Sequence, residues 1–452
     1  MRNAVTQLLM NVRYQGYSQF YSKIFSNPYR PLPDLIEEQN QQLRMMIRYA
    51  TTYVPYYKDL FTELKLQADD IQKQEDLRKL PLLTKEIIKR DPERFFSLEQ
   101  RPYLNCLTGG STGVPLKYRI DKECNMYNRA IVQRGRNCGD CVLGDTFIAL
   151  HGGASPHKSR KLLAKEFFLG CYSYYAFGSN EQEFKEIYHR INKSKIRFGY
   201  GYASAWALFA EYIEKLHLSF AHPLRAVFTT SEILTTSQRQ LISRALNTEV
   251  FDCYGLNDGG VTAYECEKHQ GLHIDFERSI LQVIDDNGQL VKEGTGHIIA
   301  TTLHNFSMPF INYDTSDMAT ITYGPCSCGR TTPRLLAIQG RSCDYLKFGD
   351  TYIMGTALIS LMKTMDILCY QVIQDAANHV YFKIVMNNYT DTEKQMKYTK
   401  KIEQSIRRCV PNIEITVDFF ENISDLNIKK KNKFIYNAYL QESQTKNSEL
   451  KG

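Results

Sequence analysis

"LTGGSTGVPLKY", residues 107–118, gathers Gly109, Gly110 and Gly113 around the hydroxyls of Thr108, Ser111 and Thr112, then closes on Val114-Pro115-Leu116-Lys117. Glycine lets backbone N–H groups turn toward a ligand with no Cβ in the way, and hydroxyls beside them donate to phosphate oxygens. The stretch is therefore suited to a polyphosphate. It is not the Walker A loop of P-loop NTPases, because no Gly-Lys-Ser/Thr follows at the required spacing. An isolated Gly/Ser/Thr turn is more often a solvated connection, so its meaning depends on what surrounds it.

Outward from that loop, residues 34–50 and 121–137 carry helical spacing, while "DTFIAL" (145–150) and "LRAVFTT" (224–230) read as short buried strands leading into polar turns. Strands alternating with helices predict an α/β body. After about Gly340 the pattern changes. "YQVIQDA" (370–376), "HVYFKIVMN" (379–387), an amphipathic stretch from Thr392 to Cys409 and "IEITVDFF" (413–420) predict a compact strand-strand-helix-strand lobe. The expected division is a large α/β domain over residues 1–339 and a small α+β domain over 340–452, the latter within the usual range of folding units.

The chain has 452 residues, 43% hydrophobic and 23% charged, enough for a large core and more than one domain. Its 56 Lys+Arg against 49 Asp+Glu give +7, but the surplus is diffuse, and its densest run is Lys429-Lys430-Lys431-Asn432-Lys433. That supports a weak preference for anions. A nucleic-acid-binding or scaffold protein held by zinc is the reading from another class; the diffuse charge argues against a specific nucleic-acid partner. No run of about 18 apolar residues or secretory leader is evident, so a cytoplasmic protein with no membrane span is expected. The sequence carries no signal of oligomeric state.

Twelve cysteines without a secretory signal point to free thiols or metal ligands rather than disulfides. Cys138-Gly-Asp-Cys141 reads as a reduced pair in a helix-to-strand turn. "ECEKHQGLH" offers Cys266, His269 and His273, and "PCSCGR" offers Cys326 and Cys328. Three thiolates and an imidazole make a closed tetrahedral site for structural Zn²⁺.

"TGGSTGVPLKY" resembles the phosphate-binding loop of the adenylate-forming ligases, specifically their phenylacetate-CoA ligase and CapK-like branch. Further matches follow in that family's order: "TTSEIL" (229–234), "FDCYGLNDGG" (251–260), "YDTSDMA" (313–319), "GRSCDYLKFGD" (340–350) and "NKF" (432–434). The likeness spans roughly residues 50–435.

What the resemblance implies is ATP-dependent activation of a carboxylic acid, aryl acids being favoured in this branch. An acyl-adenylate forms, and coenzyme A or an amine or hydroxyl acceptor takes the acyl group. Thr108, Gly109, Gly110, Ser111, Thr112 and Gly113 would cradle phosphates, with Lys117 from the following strand. Ser231 and Glu232 would line the adenine side and Tyr254 would stack on the base, where Gly255 leaves room for the nucleotide. Asn257 and Asp258 would hold the α-phosphate and Mg²⁺; the family usually has Thr/Ser-Glu there. Asp317 would accept from both ribose hydroxyls, behind Ser316 where the family usually has Gly, while Asp314 reads as a turn or capping residue. Arg341 would reach ribose or phosphate beside a hinge at Cys343-Asp344. Lys433 aligns with the lysine that contacts carboxylate and α-phosphate, with Lys430 and Lys431 as neighbours that could take its place. The branch selects His273 over His269 as zinc ligand.

Trp206, Phe209 and Ile213 read as core by their helical spacing. Tyr200, Gly201 and Ala203 before that helix, and "LHGGASPHK" (150–158) at a strand end, read as pocket contributors.

Overall fold

The computed structural model describes Val12 and residues 17–107, 116–151, 166, 170–175, 181–231, 233–341, 345–348, 351–354, 358, 361–362, 365, 367–386, 389–407, 410–421 and 435–437. The chain divides into two compact units: residues 1–110, 115–315 and 319–338, and residues 111–114, 316–318 and 339–452.

In the first unit, helices α1 (Tyr17–Ser26), α2 (Leu32–Tyr53) and α3 (Pro55–Glu63) lead into the short α4 (Lys85–Arg90). α2 shows why the region near residue 34 reads as helix. A proline and Asp34 sit in its first turn, and Leu35, Leu43, Met46, Ile47 and Ala50 line one buried face. Leu43, Met46, Ile47 and Ala50 of that face pack on Ile280, Leu303 and Ile311.

The hairpin β1 (Tyr103–Leu107) and β2 (Lys117–Asp121) runs into α5 (Lys122–Asn137). Then come β3 (Phe147–His151), β4 (Cys171–Tyr175), α6 (Glu181–Ser194), β5 (Phe198–Tyr202), α7 (Ala203–Lys215), β6 (Ala226–Thr230), α8 (Thr236–Leu246) and β7 (Glu249–Gly255). After them follow β8 (Thr262–Glu265), β9 (Leu272–Ile274), β10 (Ser279–Ile284), β11 (Glu293–Thr302), β12 (Tyr313–Thr322) and β13 (Arg334–Arg341).

One sheet of eleven strands has the order β10-β11-β12-β13-β9-β8-β7-β6-β5-β3-β4. β4, β3, β5, β6 and β7 are parallel neighbours, and the direction reverses at β8. Apolar side chains of β3 and β6 meet Trp206, Phe209 and Ile213 of α7 in a shared core. Gly201 holds φ +140, and a Cβ there would lie 1.9 Å from the Leu150 carbonyl oxygen, so β5 approaches β3 as closely as it does only with glycine. Ala203 is fully buried. The close strand approach therefore accounts for Gly201 without a pocket.

In the second unit, the hairpin β14 (Tyr345–Phe348) and β15 (Thr351–Met354) precedes β16 (Ile367–Ala376), β17 (His379–Met386), α9 (Thr392–Arg407), β18 (Glu414–Phe420) and β19 (Ile435–Asn437). The last four strands form a sheet of order β18-β17-β16-β19. Tyr398, Ile402 and Ile406 of α9 complete a core with Val372, Val380, Phe382 and Ile384.

Asp314 differs from its sequence reading. It lies inside β12, and its N–H donates to the Leu83 carbonyl at 2.9 Å, so it belongs to a strand rather than a turn or cap. Among the described residues no helix is long and apolar enough to cross a membrane.

Candidate functional site

The strands on either side of the glycine loop in sequence, β1 and β2, pair antiparallel. Leu107 and Lys117 form their last registered pair, and Lys117 is exposed at the start of β2. Thr108, Gly109, Gly110, Ser111, Thr112 and Gly113 lie outside the described residues, as does most of 150–158. The base of the hairpin is clamped: the Asp121 N–H donates to Asn305 Oδ1 at 3.0 Å, while its carboxylate accepts from the N–H groups of Phe306 at 2.7 Å and Ser307 at 3.0 Å.

Open α/β sheets bind ligands beyond the carboxyl ends of their parallel strands. Ser231 follows the end of β6 and Asn257 and Asp258 follow the end of β7, so three sequence-selected residues share that edge, with Tyr254 and Gly255 closing β7. Ser231 is exposed with φ +68, and Glu232 lies outside the described residues. Tyr254 is half-buried against the core. A Cβ on Gly255 would meet only Thr262 Cγ2 at 3.5 Å, an ordinary contact.

The Asn257–Asp258 turn is held from beneath. Arg278, almost wholly buried, donates to the Asn257 carbonyl at 3.2 Å and to Asn128 Oδ1 at 2.9 Å, and the Ser279 hydroxyl donates to the Gly260 carbonyl at 2.9 Å. Asp258 is itself buried. Its Oδ2 accepts the Tyr313 hydroxyl at 2.9 Å and faces Lys85 Nζ at 3.6 Å. Sequence reading found Asp258 but neither partner, since nothing marks a lysine in "LLTKEII" or the tyrosine opening β12 as belonging beside it.

Asp317 lies on the buried face of β12, which alternates buried and half-buried positions from Tyr313 through Thr320. Ser316, just before it, adopts φ +64. Arg341 ends the backbone of β13, and Cys343, Asp344, Lys430, Lys431 and Lys433 lie outside the described residues.

The cysteine–histidine set is brought together. The ligand atoms of Cys266, His273, Cys326 and Cys328 all lie within 4.8 Å of one another. Cys266 Sγ and Cys326 Sγ are 3.8 Å apart, and Cys328 Sγ is 3.3 Å from His273 Nε2. Tetrahedral Zn–S bonds of about 2.3 Å put two sulfurs roughly 3.8 Å apart, so the thiol spacing suits that ion. His273 Nδ1 faces the Thr332 carbonyl and hydroxyl, each at 3.2 Å, which leaves Nε2 toward the thiols. Burial lowers the His273 pKa to about 4, keeping a neutral imidazole with a lone pair to give. Burial pushes the Cys266 thiol up to about 12; at Cys328 burial also acts upward, but the Arg330 N–H and guanidinium outweigh it and favour thiolate. His269 points elsewhere, pairing with Glu249 at 3.0 Å and Glu265 at 3.2 Å. Cys138 and Cys141 are free thiols, and Arg330 donates to Cys138 Sγ at 3.4 Å.

No protein-family model matches the chain. In sequence it is 26% identical over 345 residues to the phenylacetate-coenzyme A ligase of Thermus thermophilus, covering 68% of this chain and 70% of that one. To Protein CapK of Staphylococcus aureus it is 21% identical over 408 residues, covering 87% of this chain and 88% of that one. In structure it matches 2-hydroxyisobutyryl-CoA ligase in the postadenylation state with R3-HIB-AMP at a TM-score of 0.66 and 16% identity, covering 94% of both chains. The open form of that ligase with 2-HIB-AMP and CoA gives 0.58 at 17% identity, covering 87% of this chain and 90% of that one. At such identities the structural likeness is one of fold. The fold is the one that this ligase has. In sequence, the likeness is to phenylacetate-coenzyme A ligases and to CapK.

Proposed function

We propose that this chain activates a carboxylic acid with ATP and hands the acyl group to coenzyme A. A carboxylate oxygen attacks the α-phosphorus, the bond to the pyrophosphate oxygen breaks, and pyrophosphate leaves with that electron pair. The thiolate of coenzyme A then attacks the acyl carbon and AMP departs. The observation that carries this reading is the order of the nucleotide motifs on a fold shared with a ligase whose solved structures hold acyl-AMP and coenzyme A.

The first step brings anions together, so the site must supply positive charge and fixed donors. In this reading the loop from Thr108 to Gly113 cradles the phosphates with Lys117 at its base. Ser231, Glu232 and Tyr254 enclose adenine, Asp317 accepts from the ribose hydroxyls, and Arg341 and Lys433 contact phosphate and carboxylate. Residues 1–339 act as the ATP- and acid-binding domain, and 340–452 as a lobe that turns between half-reactions. Asp258, with Asn257 beside it, would hold Mg²⁺. The fit is chemical: among the described residues the Tyr313 hydroxyl and the Lys85 ammonium both face Oδ2 of Asp258, which leaves Oδ1 to serve as a hard oxygen ligand. The ion, when bound, would offset phosphate charge.

Cys266, His273, Cys326 and Cys328 would hold Zn²⁺ in a structural role, because four protein ligands leave no open position for chemistry. The expected result of metal analysis on the purified chain is stoichiometric zinc, lost in Cys326→Ser together with a lower melting temperature; a zinc-free wild type of unchanged stability refutes the assignment. In this reading the protein works in the cytoplasm, where free thiols persist and ATP and coenzyme A are at hand.

The deciding experiment is a pyrophosphate-release screen over aryl, fatty and amino acids, with and without coenzyme A, and with Lys433→Ala as control. Acid-dependent release and a thioester product are expected, and the control should lose about 10²- to 10³-fold in rate. Release without any thioester, with the acyl group found on an amine or hydroxyl, overturns the acceptor. Release with no acid in the panel overturns adenylation.

A further inference from the structure

Lys85 is placed with care by its surroundings. Leu83 forms a parallel bridge with Tyr313 and its N–H donates to the Asn312 carbonyl at 2.9 Å, fixing the chain alongside the start of β12. Thr84 then caps α4, its hydroxyl oxygen accepting from the Ile87 N–H at 3.4 Å, so Lys85 takes the first helical position. These constraints carry its side chain inward, 13% exposed, against the 4% exposed carboxylate of Asp258.

The contact is close in charge but not saturated in hydrogen bonds. At 3.6 Å from Oδ2 the ammonium is beyond hydrogen-bonding reach of Asp258, and among the described residues it donates no hydrogen bond to any other group. An ammonium carries three N–H donors, and leaving them unspent in a largely buried place is costly. Tyr313, by contrast, is saturated toward Asp258: it is wholly buried, and its hydroxyl pins Oδ2 at 2.9 Å. All three residues lie in the first unit. Among the described residues, the arrangement is a pinned carboxylate beside a cation with no hydrogen-bond acceptor within reach.

We propose that Lys85 is a substrate-contacting residue of the adenylation step: its ammonium donates to an α-phosphate oxygen of the nucleotide, beside the carboxylate of Asp258 that Tyr313 holds still. The inference rests on Asp258 marking the phosphate end of the site. Lys85 makes and breaks no covalent bond and transfers no proton; it balances charge that builds on the phosphate while the pyrophosphate oxygen leaves with its electron pair. A lysine serving only as a structural counter-ion would support the fold and Asp258, but would leave nucleotide affinity at an intact carboxylate unchanged.

The test uses the full chain, its Lys85→Met and Lys85→Arg variants, and Asp258→Asn. Calorimetric titration with Mg²⁺ and a nonhydrolysable ATP analogue reads nucleotide binding, electron paramagnetic resonance with Mn²⁺ alone reads the carboxylate, and pyrophosphate release reads kcat and KM. Lys85→Met is expected to bind Mn²⁺ at least as tightly as the wild type, bind the analogue about tenfold more weakly, and lose about 10²-fold or more in kcat. Lys85→Arg should recover most of the binding, and Asp258→Asn should lose Mn²⁺. Unchanged analogue affinity in a folded Lys85→Met overturns the proposal, as does a loss confined to Mn²⁺ binding. Should Lys85→Met fail to fold, Lys85→Gln replaces it, and collapse of both marks the lysine as structural and overturns the proposal as well. A wild type that binds the analogue but activates no acid refutes the proposed reaction without touching this result, because the binding arms are read independently.

Discussion

Ser316, just before Asp317, adopts φ +64, a left-handed conformation that crowds a Cβ against the carbonyl that follows and that glycine takes freely. The expected consequence is that Ser316→Gly raises stability by up to about 1 kcal/mol, while Ser316→Val, branched at Cβ, lowers it by about 1–2 kcal/mol. Urea unfolding of the pair checks this, and a valine variant as stable as the wild type contradicts it. At this scale the sequence was legible wherever a residue type is rare in its role. Asp258 was singled out by the resemblance that "FDCYGLNDGG" carries, and the thiols stood out by their spacing. Lys85 and Tyr313 did not, because ordinary residues distant in sequence acquire their meaning only when Leu83 pairs with Tyr313 and brings both beside Asp258.

Between single residues and the whole chain, elements meet through groups that periodicity cannot reveal. α5 was readable from its spacing, but not that its Tyr127 stacks on His304 beyond the end of β11, with ring centroids 4.0 Å apart and planes 13° off parallel. Burial there lowers the His304 pKa from its ordinary 6.5 to about 4. The sign follows from the two states. Below 6.5 the unfolded chain takes up a proton that the folded chain refuses, so stability is full above that pH and falls as pH drops toward 4. The loss approaches about 3 kcal/mol at the acid end of the window. Other groups titrate there too, so the measurement is a difference: stability against pH for the wild type and for His304→Gln, whose curve should be flatter between those limits. Parallel slopes would show that His304 takes up its proton in the folded state as readily as in the unfolded one.

Across the whole molecule, strand spacing with period two replaces the longer alternation of strand and helix near residue 340, and the second compact unit opens its main segment at Gln339. What the pattern could not give was the assignment of Ser316–Met318 to that same unit, which depends on contacts between distant segments. The second unit also has a hydrophobic core of its own, in which Phe382 is wholly buried with Val372, Ile384 and Ile402 and shares no member with the cores around α2 or α7. Separate cores are a condition for unfolding in more than one step. Phe382→Ala removes a buried ring and is expected to cost about 3–5 kcal/mol. Because that ring contributes to one core alone, scanning calorimetry of the variant should show one transition moving to lower temperature while a second stays in place. If the whole endotherm instead moves as a single peak, the two units unfold as one cooperative body, and the interactions joining them outweigh the independence of their cores.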